Sequence, residues 1–264
     1  MLDGWLVPDW PAPAGVHAVC TTRAGGVSSA PYDSLNLGDH VGDDPAHVAA
    51  NRAIFAQAIG AQPVFLNQVH GTRVLQLDAT TPHASAVDAC VTQVPGIACT
   101  IMVADCLPVL FTTLQGDCVA AAHAGWRGLA GQGGLGVLEQ TFKHFCALAH
   151  IQQAQEATDI IAWLGPCIGP DAFEVGDEVR AAFVVHMPQA ATWFKPAPGG
   201  KWLADLAGLV RQRLAALGLR QIYGNDSSPA WCTVGNASRF FSHRRDRVSG
   251  RFAACIWRDA GQRG

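Results

Sequence analysis

Ile97-Ala98-Cys99-Thr100-Ile101-Met102-Val103, the polar break Ala104-Asp105-Cys106, and Pro108-Val109-Leu110-Phe111-Thr112-Thr113 form the most informative stretch of this chain. Short apolar runs rich in β-branched residues and bounded by turn residues read as buried strands. A third run, Cys118-Val119-Ala120-Ala121-Ala122, ends at His123, just before Ala124-Gly125-Trp126-Arg127-Gly128. A strand that ends in a polar residue and then meets Gly or Pro carries that side chain to the rim of a sheet. The same pattern recurs upstream, where Pro63 to Val69 leads to His70-Gly71.

Outward from this centre the pattern alternates between strands and helices. Gly15 to Thr22, Val74 to Leu77, Ile160 to Leu164 and Phe252 to Trp257 read as strands. Pro45 to Ile59, opened by Asp44, reads as a helix, as do Val137 to Phe145, the region Asp177 to Val185, and Leu203 to Leu217 closed by Gly218. The chain after Arg127 reads as a glycine-rich loop, and Pro196 to Gly200 as a surface loop. The alternation lacks the regularity of a doubly wound nucleotide fold. It predicts one α/β domain over residues 1–264 with a mixed sheet.

Composition narrows the class. Of 264 residues, 49% are hydrophobic and 15% charged, which favours a buried globule over a disordered chain. A net charge of -3 offers no general attraction to nucleic acid or anionic membrane, so neither is an expected partner. Nine cysteines, an odd number with no zinc-finger spacing, suggest small buried hydrophobes in a reducing cytoplasm. Met1 to Pro8 lacks the features of a signal peptide, and no apolar run approaches the ~20 residues that span a bilayer. No coiled-coil pattern demands a dimer, so a monomer is expected.

His70, Cys106 and His123 are the candidate reactive set. Two imidazoles and a thiolate suit a catalytic zinc that keeps one position open. Their intervals match no helical metal box, so tertiary structure must bring them together. The same residues also suit a cysteine nucleophile activated by one histidine and oriented by the other. Residue types alone leave both readings open.

The ordered motifs add a resemblance. Asn67-Gln68-Val69-His70-Gly71, Ala104-Asp105-Cys106-Leu107-Pro108-Val109-Leu110 and Ala121-Ala122-His123-Ala124-Gly125-Trp126-Arg127-Gly128 resemble the YfiH-like family. Its members are variously labelled polyphenol oxidase (laccase), purine nucleoside phosphorylase and peptidoglycan editing factor. Thr21-Thr22-Arg23-Ala24-Gly25-Gly26, Leu35-Asn36-Leu37-Gly38, Gly165-Pro166-Cys167-Ile168-Gly169-Pro170, Phe173-Glu174-Val175-Gly176 and Phe240-Phe241-Ser242-His243-Arg244-Arg245-Asp246 extend it in family order over nearly the whole chain. The resemblance implies an α/β sandwich related to the cysteine-hydrolase core of cytotoxic necrotising factor toxins. It implies a metal held by His70, Cys106 and His123, zinc as the usual ion and copper in laccase-labelled members. Cys90, Val234 and His243 depart from the family pattern without touching those three ligands.

The implied activity is phosphorolysis of purine nucleosides, with adenosine deamination as a companion reaction. Phosphorolysis needs cationic donors for phosphate. Arg23, Arg127 and Arg244 are the candidates for that role, and Asn36 is the candidate for the ribose hydroxyls. Alternative readings are editing of peptidoglycan precursors by cleavage of an amide to L-Ser or Gly, copper-dependent phenol oxidation, and a non-enzymatic protein with a structural zinc. A structural site normally has four protein ligands, and only three are found here.

Overall fold

A computed structural model of the chain describes residues 4–151 and 154–259; Met1-Leu2-Asp3, part of the segment read for a leader, lies outside the described residues. In chain order the main elements are β1 (Val16–Cys20), α1 (Pro45–Ile59), β2 (Gln62–Phe65), β3 (Val74–Gln76), β4 (Ala89–Thr92), β5 (Ile97–Val103), β6 (Leu107–Thr113) and β7 (Val119–Ala124). There follow α2 (Trp126–Ala130), α3 (Val137–Leu148), β8 (Ile160–Leu164), β9 (Glu174–Val175), α4 (Asp177–Val184), β10 (Phe194–Ala197) and β11 (Lys201–Ala204). The last are α5 (Leu206–Ala216), β12 (Gln221–Gly224), α6 (His243–Asp246) and β13 (Phe252–Arg258).

Two mixed sheets dominate. One has the order β1-β13-β5-β2, with β2 parallel to β5 and the other pairs antiparallel. The other has the order β12-β8-β6-β7-β4-β3, with parallel pairs at both edges and antiparallel pairs between them. A small antiparallel sheet, β10-β11-β9, stands apart from both.

Strand alternation sorts the core into layers. Ile97, Cys99 and Ile101 of β5 join Leu110 of β6 and Val119 and Ala121 of β7 in the layer between the large sheets. Ala98 and Met102 point the other way, onto Phe55 of α1. Val109, Phe111, Ala120 and Ala122 face Leu138 and Phe145 of α3 and Leu209 and Val210 of α5. The small alanines of β7 let α3 lie close to the sheet. Burying each large aliphatic side chain in these layers contributes roughly 1.5–3 kcal/mol. The result is a helix–sheet–sheet–helix sandwich, in agreement with the expected mixed α/β fold.

Local signals explain the helix ends. The Asp44 side chain accepts the Ala46 N–H, Pro45 opens α1, and Gly60 closes it at φ 64. The helix expected from Leu203 starts later, because Leu203 is paired with Lys195 and Glu174 in the small sheet. Asp205 then caps α5 by accepting the Gly208 N–H. The segment after Gly125 forms one short helix before it becomes a loop, and the expected loop at Pro196 begins as the end of β10. Among the described residues no helix is long and apolar enough to cross a membrane.

Candidate metal centre and cavity

Each of the three candidate ligands sits where a strand ends or a loop is pinned. β5 stops at Val103, and Asp105 takes φ 94, which turns the chain into β6 with Cys106 at the corner. The Asp105 carboxylate holds that corner by accepting the Thr233 hydroxyl (2.6 Å) and the Arg244 N–H (2.7 Å). His123 lies near the end of β7, opposite Pro108 of β6. Cys106 and His123 therefore emerge from adjacent strands at the same end of one sheet.

His70 comes from a loop beyond β2. Gln68 fastens that loop to the end of β5: its Nε2 donates to Met102 O (2.7 Å) and its Oε1 accepts Met102 N–H (2.8 Å). Asp88 completes the hold. Its buried carboxylate accepts the N–H groups of Val69 (3.2 Å), His70 (2.8 Å) and Gly71 (2.7 Å). One carboxylate oxygen also lies 2.9 Å from His123 Nδ1. An Nδ1–H donor to that carboxylate leaves Nε2 as the free nitrogen of His123.

The three donor atoms lie within 4.8 Å of one another. Cys106 Sγ is 3.7 Å from His70 Nε2, and the two imidazole centroids are 4.8 Å apart. Ordinary zinc–sulfur and zinc–nitrogen bonds at a tetrahedral angle put S and N about 3.5 Å apart. The Sγ–Nε2 separation fits that value. The donor chemistry fits as well: a soft thiolate, two imidazoles, and a carboxylate behind one imidazole.

Glycine makes the close approach possible. A Cβ at Gly125 would sit 2.7 Å from His70 Cδ2 and 3.0 Å from Cys106 Sγ, and one at Gly128 would sit 2.7 Å from Gly71 O. Both positions belong to the stretch that follows His123, so its small residues serve the site directly.

Electrostatics couple the set. Burial alone would push the Cys106 thiol up, but the His123 charge and hydrogen bonds from His123 and His70 outweigh it and bring the pKa down to about 6. Burial would likewise push His123 down. The Cys106 charge and the Asp88 hydrogen bond raise it instead to about 9. Asp88 resists its own burial through His123 and the loop amides, which hold its pKa below the usual carboxylate value.

All three residues line a cavity of about 430 Å³, within the range of small-molecule sites. Trp126, Ile168 and Phe173 supply its apolar wall. Arg244 lines it too, with Nη1 and Nη2 donating to Ala172 O and Glu174 O. Three other sequence candidates lie elsewhere. Arg23 is folded onto Asp33 and the Ala237 carbonyl, and lines a separate surface depression. Arg127 stacks over Trp126, with its guanidinium 4.4 Å from the ring centroid, and is absent from the cavity wall. Asn36 is fully buried, its amide shared among Gly38, Asp43 and Arg251.

Sequence reading passed over Asp88, Gln68, His40, Arg247 and Arg251. Asp88 left one signal, as a lone acid in the apolar run Ala86-Val87-Asp88-Ala89-Cys90-Val91. A carboxylate there needs a buried partner. Arg247 and Arg251 left none, since solvated arginines look the same in sequence.

Residues 17–259 match the family described as multi-copper polyphenol oxidoreductase laccase. The chain is 46% identical to a purine nucleoside phosphorylase of Pseudomonas aeruginosa, over 97% of this chain and 99% of that one. It is 49% identical to the purine nucleoside phosphorylase YfiH of Escherichia coli K12, over 96% of this chain and 98% of that one. A crystal structure of a Neisseria meningitidis protein superposes with a TM-score of 0.89 at 45% identity, covering 98% of this chain and all of that one.

Proposed function

The chain belongs to the YfiH-like family, the family described as multi-copper polyphenol oxidoreductase laccase, and we propose that it is a metal-dependent purine nucleoside phosphorylase with an accompanying adenosine deaminase activity. One observation carries this reading. Two imidazoles and a thiol converge on the wall of a cavity that also holds three guanidinium groups. The names of the relatives from Pseudomonas aeruginosa and Escherichia coli support the phosphorylase part of it.

His70, Cys106 and His123 would hold the metal. Zinc suits this set best; copper is the alternative, because imidazole and thiolate accept it too. A bound zinc ion supplies Lewis-acid charge and lowers the pKa of water towards neutrality, which serves both reactions.

In phosphorolysis a phosphate oxygen bonds to C1′ of the sugar while the bond from C1′ to the base breaks. The base leaves with that electron pair and takes up a proton, giving free purine and ribose 1-phosphate. Positive charge develops on the sugar, so phosphate held beside it stabilises the transition state as well as attacking. Cavity arginines whose donors are not spent on backbone carbonyls hold that anion. Trp126, Ile168 and Phe173 exclude water and give the flat base an apolar surface. Asp88 keeps His123 in one tautomer and orientation. In deamination a water oxygen replaces the amino nitrogen on the purine ring, and ammonia leaves.

The test combines metal analysis with assays on adenosine, inosine, guanosine and methylthioadenosine. Wild type is expected to release free base only when phosphate is present, and ammonia from adenosine. Cys106→Ala and His123→Ala are expected to lose both activities. Absence of turnover in metal-loaded wild type, or equal turnover in Cys106→Ala, would defeat the reading.

A second reading rests on the depressed Cys106 pKa. A thiolate paired with His123, itself backed by Asp88, is the arrangement of a cysteine hydrolase. It supports amide cleavage on a peptidoglycan precursor that carries L-Ser or Gly in place of L-Ala. Metal-free protein that hydrolyses UDP-MurNAc-L-Ser faster than the L-Ala form would favour it, and equal rates would remove it.

A further inference from the structure

The arginines that line the cavity are not equivalent. Both Nη atoms of Arg244 are committed to backbone carbonyls. Arg251 commits only Nη1, which donates to Ser249 O (2.9 Å) and Gly250 O (3.0 Å). Its Nε and Nη2 make no hydrogen bond among the described residues, and no carboxylate pairs with it there. The Arg247 guanidinium has neither a hydrogen bond nor an ion pair among the described residues. Among the described residues the one carboxylate on the cavity wall, Asp105, already accepts from Thr233 and Arg244. This corner of a chain with net charge -3 therefore carries unspent positive charge and free donors.

The backbone around Arg251 is tightly set. Asn36 Oδ1 accepts the N–H of both Arg251 (2.8 Å) and Gly38 (2.9 Å), and Leu37 N–H donates to Arg251 O (3.0 Å). A Cβ at Gly38 would meet Arg251 Cγ at 2.7 Å, so the segment leading to His40 lies directly against the arginine. Burial and the Arg251 charge lower the His40 pKa against the opposing pull of Asp39, whose Oδ1 lies 3.5 Å from Nδ1; with the Nδ1 proton directed at that carboxylate, Nε2 is left to accept the single O–H of a phosphate dianion. Arg247 sits at φ 62, ψ -57, just past α6, an unusual conformation for a residue with a side chain. The charges of Cys106 and Asp105 in turn act on Arg251, so this corner faces the His-Cys-His set.

Resting on the phosphorolysis reading above, we propose that Arg247, Arg251 and His40 form the subsite for the attacking phosphate. Two guanidiniums with free N–H pairs match the oxygens of a phosphate dianion, and the imidazole adds a third direction of contact. Arg244 serves as a fixed structural strut on the same wall. The same chemistry would suit a phosphoryl group carried by an organic substrate, so the test separates the two sources.

Orthophosphate, AMP and uridine diphosphate are each titrated calorimetrically into metal-loaded wild type, Arg247→Gln, Arg251→Lys and the control Lys143→Gln on the exposed side of α3. Arg251→Lys keeps the charge and the buried stem, and Arg247→Gln removes no hydrogen bond or ion pair among the described residues, so both are expected to fold. Orthophosphate is expected to bind wild type and the control equally, and each arginine variant about tenfold or more weakly. In turnover, the KM for phosphate rises by a similar factor, while the KM for nucleoside stays within about twofold of wild type. Orthophosphate binding that is absent in wild type, or unchanged in both variants, overturns the subsite. Binding of AMP or uridine diphosphate alone, weakened by the same variants, assigns the corner to an organic phosphate and also overturns it. Orthophosphate binding that the variants weaken, in a protein that turns over no nucleoside, supports the subsite and defeats phosphorolysis instead.

Discussion

His123 Nδ1 lies 2.9 Å from Asp88 Oδ1, and the carboxylate that receives it also gathers the amides of Val69, His70 and Gly71. One buried acid thus sets the orientation of the first imidazole and the loop that carries the second. The link is made across sequence: Asp88 immediately precedes β4, which pairs with β7 from Ala89 opposite Ala122. The sheet pairing that builds the core also brings both histidines to the thiol.

Replacing Asp88 with Asn should therefore damage stability and metal binding together. The amide keeps the shape but loses the charge, and its NH2 opposes the N–H groups that the carboxylate accepted. Breaking a buried charged pair of this kind costs about 3 kcal/mol. Loss of the partner behind a histidine ligand lowers metal affinity about 10- to 100-fold. Urea denaturation and a competitive chelator titration read the two effects. Asp88→Asn with wild-type metal affinity would show that His123 is positioned without it.

In metal-free protein, Cys106 should ionise near pH 6 rather than at its ordinary 9.0. The ultraviolet absorbance of the thiolate should rise through that pH and be absent in Cys106→Ser. The stability profile follows from the signs. Cys106 is depressed in the fold, so its contribution is full above its unfolded pKa and is lost as pH falls through about 6. His123 is raised, so its contribution is full below its unfolded value of 6.5 and is lost as pH rises through about 9. Between those limits the fold holds one extra proton on His123 and one fewer on Cys106. The proton counts of the folded and unfolded chains balance, and this pair contributes no slope. A thiolate step near pH 9 that disappears in Cys106→Ser would contradict the coupling.

The positions of Cys106 and His123 were legible because strands announce themselves locally. Apolar runs of the right length ended at each residue, and Gly or Pro marked the turn. Asp88 was not legible as a site residue, because its partners lie far along the chain and meet it only through sheet pairing. Arg23 illustrates the opposite error. A basic residue beside Gly25-Gly26 looks like an anion site, yet Asp33 and the Ala237 carbonyl consume its donors in the fold. The amphipathic pattern after Leu203 gave α5 its existence but not its start, since strand pairing with Lys195 and Glu174 claimed Leu203 first. Strand β12 is not legible in the sequence, because Gln221-Ile222-Tyr223-Gly224 is short and lies at the sheet edge beside β8.

Gly125→Ala should disable the centre while leaving the fold intact. Gly125 has φ -73, so an alanine is conformationally acceptable there. Its methyl group would nonetheless press on His70 Cδ2 and Cys106 Sγ. These two must move apart, which stretches a separation that now suits a shared metal ion. Metal affinity should fall by about tenfold or more, with a stability loss of about 1–3 kcal/mol from overpacking. Far-ultraviolet circular dichroism checks the fold, and metal competition checks the site. A fully metal-competent Gly125→Ala would show that the ligands close from a different geometry.

Asp105 carries two separable duties, and three substitutions distinguish them. At φ 94 it occupies backbone space that suits glycine, while its carboxylate binds the Thr233 hydroxyl and the Arg244 N–H. Asp105→Asn keeps one oxygen acceptor and a side chain that tolerates positive φ. Asp105→Gly loses the hydrogen bonds but relaxes the backbone. Asp105→Ala loses the bonds and keeps the strain, so it should be less stable than the glycine variant by about 1 kcal/mol. The expected order in urea denaturation is wild type, Asn, Gly, Ala. Since this corner carries Cys106, metal affinity should follow the same order. Alanine at least as stable as glycine would mean that the strain at residue 105 is relieved by movement of the corner, and Cys106 would then be displaced more in the alanine variant than in the glycine one.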